Sequence, residues 1–202
     1  MIAIIDYGVG NLFSLVSSLK YLGIEATIAT KSEDIVKADK IILPGVGAFE
    51  MAMQKLENSG MKETLLDEVK KGKYLLGICL GMQMLFEKSY EYGVHKGLGL
   101  ISGKVCPLLG DIDEELKIPH MGWNSLIFKK QDEFLKDIKE GDFVYFVHSF
   151  YAKECSADTL STCEYDKEVT AIVRKGNVIG TQFHPEKSGE VGLKLLKTFA
   201  NL

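Results

Sequence analysis

Early in the chain Ile2–Ile5 is a short apolar run that stops at Asp6-Tyr7-Gly8, and Ala26–Thr30, Ile41–Leu43 and Tyr74–Ile78 are further strand candidates. Such continuous runs suit strands buried on both faces, where alternation would mark a strand with one wet face. The segments between them have helical period. Leu12, Leu15, Val16, Leu19 and Leu22 share a face that Asn11 can cap and Gly23 can close. Phe49–Leu56 and Met61–Lys71 read as helices, as does a segment from about Gly81 to Lys88. Strands alternating with helices predict an α/β fold, its parallel strands covered by helices on both faces.

The second half changes character. Gly103–Leu109, Phe143–Val147, Thr159–Glu164, Val169–Arg174 and Val178–Phe183 are short and strand-like, and Lys175-Gly176-Asn177 suits a hairpin turn. Gly189–Ala200 closes the chain as a helix with Val191, Leu195, Leu196 and Phe199 on one face. No repeat or linker interrupts it, so one domain over residues 1–202 with a mixed sheet is expected.

Composition narrows the function. A net charge of −4 with scattered lysines argues against nucleic acid or an anionic membrane as partner. No apolar run approaches the ~20 residues a bilayer requires. Asp6 cuts the first run short, so it does not read as a signal peptide. The four cysteines, Cys79, Cys106, Cys155 and Cys163, form no CxxC, which fits reduced thiols in the cytoplasm. No Cys or His pair has zinc-ligand spacing, so no metal is expected, and no cofactor motif is complete. A Walker A lysine is absent after Gly47, and Gly8-Val9-Gly10 lacks the third glycine of a dinucleotide fingerprint.

Gly77-Ile78-Cys79-Leu80-Gly81 has the form G-x-C-x-G, a strand running through a cysteine into a helix. In a nucleophile elbow the flanking small residues let the chain close around a strained nucleophile. The helix N-terminus then favours a thiolate, and the Leu80 amide points where an oxyanion would form. Against this stands a packed core thiol, the reading that suits Cys106, Cys155 and Cys163. A nucleophile needs a base and the base an orienting group. His184 ends a strand-like run, and Glu186 lies two residues on; a surface histidine beside a turn proline is the bland alternative. His95 reads as a loop residue. Pro44-Gly45-Val46-Gly47 follows a strand, and its glycines let backbone amides approach a ligand closely.

Taken together, PGVG, GICLGMQ and HPE resemble the triad, or class-I, glutamine amidotransferases. Asp6–Leu12, Pro44–Phe49, Gly97–Ile101, Pro119–Asn124 and Phe146–Ser149 further resemble the glutaminase subunit of imidazole glycerol phosphate synthase. The related anthranilate-type glutaminases would carry PGPG and a GHQ after the cysteine. The resemblance, which covers essentially the whole chain, implies a single-domain, flavodoxin-like three-layer fold with a mixed, mostly parallel central sheet. It implies Cys79 as nucleophile, His184 as base and Glu186 as orienting acid. Val46 and Leu80 would supply the oxyanion hole, and Gly45, Gly47, Gln83, Ser149 and Phe150 would hold glutamine.

The same resemblance implies a heterodimer with a (β/α)8-barrel cyclase subunit in histidine biosynthesis. Ammonia would pass to that subunit, which makes imidazole glycerol phosphate and an aminoimidazole carboxamide ribotide. Asn11, His120, Met121, Trp123, Tyr145 and Lys187 match positions at its interface or the ammonia exit. Trp123 is expected in a polar loop, His148 as a backbone-fixing residue, and Leu108–Lys117 as a surface loop. The alternatives are the same chemistry feeding amidation of a surface sugar, a stand-alone cysteine hydrolase, and a non-catalytic binding subunit.

Overall fold

The computed structural model describes residues 1–113 and 115–202. The early runs become β1 (Ile2–Ile5), β2 (Ala26–Ala29), β3 (Lys40–Gly45) and β4 (Tyr74–Cys79). Between and after them lie α1 (Leu12–Tyr21), α2 (Ser32–Lys37), α3 (Phe49–Asn58), α4 (Lys62–Lys70) and α5 (Leu80–Met84). The rest is strand-rich: β5 (Phe86–Ser89), β6 (His95–Lys96), β7 (Ile101–Pro107), β8 (His120–Ser125), β9 (Ile127–Phe128), β10 (Phe143–His148), β11 (Phe150–Lys153), β12 (Thr159–Tyr165), β13 (Lys167–Lys175) and β14 (Val178–Thr181). Helix α6 (Gly189–Asn201) follows a 3₁₀ turn over Pro185–Lys187.

The central sheet has eight strands in the order β2-β1-β3-β4-β14-β13-β12-β9. Strands β2, β1, β3, β4 and β14 pair in parallel, and the last four pair antiparallel. Side-chain alternation sorts each strand between two cores. Ile2 and Ile4 join Leu15, Leu19, Leu195 and Phe199 on the α1/α6 face. Ala3 and Ile5 join Phe49, Leu56, Leu65 and Met82 on the α3/α4/α5 face. That two-sided burial is why β1, β3 and β4 read as unbroken apolar runs, whereas β2, at the sheet edge, keeps Ile28 exposed. The expected three-layer, mixed and mostly parallel arrangement is present.

Two smaller sheets lie outside that expectation, β8 paired with β10 and the four-stranded β11-β7-β5-β6. The helix expected to reach Lys88 ends at Met84, and Phe86–Ser89 turns into a strand. Backbone amides of Leu98, Gly99 and Leu100 take the carbonyls of Met84, Phe86 and Leu85 at 2.8, 3.1 and 2.9 Å. Gly97 allows that approach, because a Cβ there would overlap the Phe86 carbonyl oxygen. Trp123 sits on β8 instead of in a loop. Within the expected surface loop, Leu108 and Ile112 are buried in the α1/α6 core, and Glu114 lies outside the described residues.

Helix α6 seats the HPE turn. A Cβ at Gly192 would overlap the Pro185 carbonyl oxygen, so only glycine lets the helix lie this close. Gly192→Ala is expected to destabilise the chain by about 1–3 kcal/mol. Urea unfolding measures this, and an unchanged midpoint would contradict the packing described.

Candidate active site

Cys79 ends β4 with φ 55 and ψ −109, the left-handed backbone that an L-residue adopts only under constraint. The sequence permits it through two glycines. A Cβ on Gly77 would come within 2.7 Å of the Gly81 carbonyl oxygen, and one on Gly81 would overlap that of Leu43. The sulfur is thereby set at the start of α5. Parallel pairing of β3 with β4 puts Gly45 opposite Cys79, so the PGVG loop leaves the sheet beside that residue. Tyr7 donates to the Pro44 carbonyl at 2.7 Å and pins that corner.

His184 arrives from the neighbouring strand. It follows β14, which pairs with β4, and its amide donates to the Tyr145 carbonyl at 3.0 Å. Its Nδ1 lies 2.8 Å from Glu186 Oε1, both side chains almost fully buried. Burial opposes a charge on His184. Hydrogen bonds to Cys79 and Glu186, with their negative charges, outweigh it and raise the imidazole to about 9. The three triad candidates are therefore contiguous, with imidazolium between two acids. Burial, and secondarily the charge of Cys79, also pushes the Tyr7 phenol upward.

A cavity of about 420 Å³ opens onto the sulfur. Val46, Gly47, Cys79, Leu80, Gln83, Ser149, Phe150, His184 and Lys187 all line it. Gly45 is buried behind it, where a Cβ would come within 2.8 Å of the Gly81 amide and 2.9 Å of the Tyr7 hydroxyl.

The sequence model of the class-I glutamine amidotransferase family matches residues 3–201. The chain belongs to the class-I glutamine amidotransferase family. Full-length relatives agree. The imidazole glycerol phosphate synthase subunit HisH of Caldanaerobacter subterraneus subsp. tengcongensis is 50% identical, with 100% of this chain and 98% of that one covered. Its counterpart in Wolinella succinogenes is 46% identical, with 100% of both covered. Among solved structures, a glutamine amidotransferase crystal structure superposes with TM-score 0.76 at 20% identity, covering 100% of both chains. PurLQS from Thermotoga maritima gives 0.74 at 21%, covering 99% and 97%. These two carry the fold alone.

Two residues that the motifs of this amidotransferase did not single out also stand at the candidate site. Glu91 lines the cavity and accepts from the Phe49 amide at 2.5 Å, at the start of α3. Burial raises its carboxyl above the ordinary value, against the pull of that amide. Nothing local in the sequence marks it. Gln182, fully buried, donates to Cys79 Sγ at 3.8 Å. The signal available for it was a polar side chain inside the apolar run before His184.

The docking candidates divide. On β8 and β10, Met121 and Trp123 are exposed at 60% and 56%, and Trp123 meets Tyr145 edge-on at 6.1 Å. Lys187 stands at the cavity, and Asn11 caps α1 by accepting from the Ser14 amide. The His120 side chain faces inward, stacked on Phe146 and Tyr165 at 4.8 and 4.0 Å. His148 fixes backbone as anticipated, with Nδ1 2.9 Å from the Phe150 carbonyl. His95 lies on β6, with Nδ1 3.7 Å from Glu50 Oε1. Cys155 and Cys163 are buried and Cys106 partly so. Among the described residues, no helix is long and apolar enough to cross a membrane.

The histidines set the pH response. Burial lowers His120 to about 4 and His148 to about 3, so the unfolded chain binds more protons below 6.5. Their contribution is complete above 6.5 and is lost as the pH falls through those values. His184, raised to about 9, contributes fully below 6.5 and loses that contribution as the pH rises through 9. The melting temperature is therefore expected to peak near pH 6.5 and to fall on both sides. A flat profile from pH 5 to 9 would contradict these assignments.

Proposed function

We propose that this chain is the glutaminase subunit of an imidazole glycerol phosphate synthase, hydrolysing glutamine to glutamate and ammonia at Cys79. The observation that carries the reading is His184, its Nδ1 2.8 Å from the buried Glu186 Oε1, lining one cavity together with Cys79. Full-length similarity to subunits named HisH supports the acceptor assignment.

In this reading His184 holds the proton that the Cys79 thiol gives up. The sulfur attacks the side-chain amide carbon, and the carbonyl oxygen becomes an oxyanion held by the Val46 and Leu80 amides. His184 gives its proton to the amine as the C–N bond breaks, leaving a glutamyl thioester and ammonia. Water then attacks the thioester, its proton passes to His184, and the thiolate departs as glutamate is released. Gly45, Gly47, Gln83, Ser149 and Phe150 hold the substrate. Glu91 supplies the negative charge that an α-ammonium group requires in a partly desolvated cavity.

Ammonia is passed to a separate (β/α)8-barrel cyclase subunit, which forms imidazole glycerol phosphate and the aminoimidazole carboxamide ribotide. Met121, Trp123, Tyr145, Asn11 and Lys187 form the docking and exit face, with His120 behind it. The aromatic, exposed side chains of β8 suit a protein partner. Residues 1–202 act as one glutaminase domain in the cytoplasm.

With a cognate barrel subunit and its acceptor ligand, glutamine turnover should rise well above that of the chain alone. His184→Ala should lower kcat by at least about 100-fold, and Cys79→Ala should leave only background. Steady-state ammonia release measures all three. Full turnover without a partner would contradict the docking assignment, and undiminished turnover in Cys79→Ala would contradict the mechanism.

A further inference from the structure

Outside the triad candidates, the cavity wall is backed by a chain of side-chain hydrogen bonds, half-buried to buried over most of its length, whose donors and acceptors can be assigned. Asn124 Oδ1 accepts from the Ser125 amide at 2.8 Å, which fixes the orientation of its amide group. Its Nδ2 donates to the Glu164 carbonyl at 2.7 Å and lies 3.3 Å from His120 Nε2. His120 Nδ1 is 3.0 Å from His148 Nε2, and His148 Nδ1 is 2.9 Å from the Phe150 carbonyl.

A carbonyl only accepts, so His148 carries its proton on Nδ1. Burial keeps both rings neutral, and His148 Nε2 then accepts from His120 Nδ1. That leaves His120 Nε2 to accept from Asn124. A second arm meets the first at the same carbonyl. Gln83 Nε2 donates to the Phe150 carbonyl at 2.9 Å and to Gln182 Oε1 at 3.1 Å. With its oxygen occupied, Gln182 turns its Nε2 to Cys79 Sγ at 3.8 Å.

We infer that Gln182 is a further residue of the catalytic site, holding the Cys79 sulfur through an N–H whose aim is set by Gln83, His148, His120 and Asn124. His120 and His148 are then positioning residues that act through Phe150, Gln83 and Gln182. The inference deepens the reading above and rests on it for the role of Cys79 as nucleophile. An N–H donor favours thiolate over thiol, and a donor locked by its own acceptor cannot swing away. The chain starts on β8, where the alternation of a strand puts His120 and Asn124 on one face and Met121 and Trp123 on the other.

The test is the rate at which iodoacetamide alkylates Cys79 in the full chain at pH 7, followed on the peptide that contains it. Gln182→Met is expected to slow alkylation about tenfold, the loss of a hydrogen bond to a charged group. His120→Phe keeps the flat ring between Phe146 and Tyr165 and is expected to slow it about threefold. Combined, the two should be little slower than Gln182→Met alone, because both cut one chain. A merely loosened core would expose the sulfur and speed alkylation, so the direction separates the two causes. Asn124→Ala, at the half-buried end, should shift the rate the same way and serves if His120→Phe does not fold. Wild-type rates in Gln182→Met, faster alkylation, or effects that multiply would overturn the inference. Alkylation needs no glutamine, so this outcome is separate from that of the turnover assay.

Discussion

The molecule is organised around the backbone of Cys79. A non-glycine residue at φ 55 costs on the order of 1–3 kcal/mol and persists only where its surroundings impose it. Here β4 is gripped between β3 and β14, and α5 begins at the next residue. Gly77 and Gly81 remove the two side chains that would prevent the closure. From that one constraint follow a sulfur at a helix N-terminus, the PGVG corner beside it through Gly45, and His184 beyond the adjacent strand.

Electrostatics then decides which form the site takes. Burial alone would strip His184 of its proton, as it does for His120 and His148. His184 differs because Cys79 and Glu186 flank it. Three buried histidines are thus divided by their neighbours into one charged ring and two neutral ones. Among the described residues none hydrogen-bonds the buried Glu186 Oε2, and the carboxylate meets His184 through Oε1.

The legible part of the fold was the part that sequence-local physics decides. β1, β3 and β4 carry unbroken apolar runs because both faces are covered, and α1 carries its own cap in Asn11. Helix α5 could not be read to its end, since distant amides from Leu98 to Leu100 take the carbonyls of Met84, Leu85 and Phe86. Strand β8 was hidden because its polar, glycine-containing sequence gains strand character only by pairing with β10. Short α2 presents a single buried residue, Ile35, too few for a period. The site divides the same way. Cys79, His184 and Glu186 sit in motifs that carry their own geometry. Glu91 is held at the cavity by the Phe49 amide, 42 residues away along the chain, and Gln182 meets the Cys79 sulfur 103 residues away.

The central claim is that Cys79 carries the glutamyl group during turnover. Rapid acid quenching with radiolabelled glutamine, then peptide mapping, tests it most directly. The account predicts label on the peptide containing Cys79, lost on treatment with hydroxylamine as a thioester is. Label on another cysteine, or turnover with no labelled intermediate at any quench time, would contradict it.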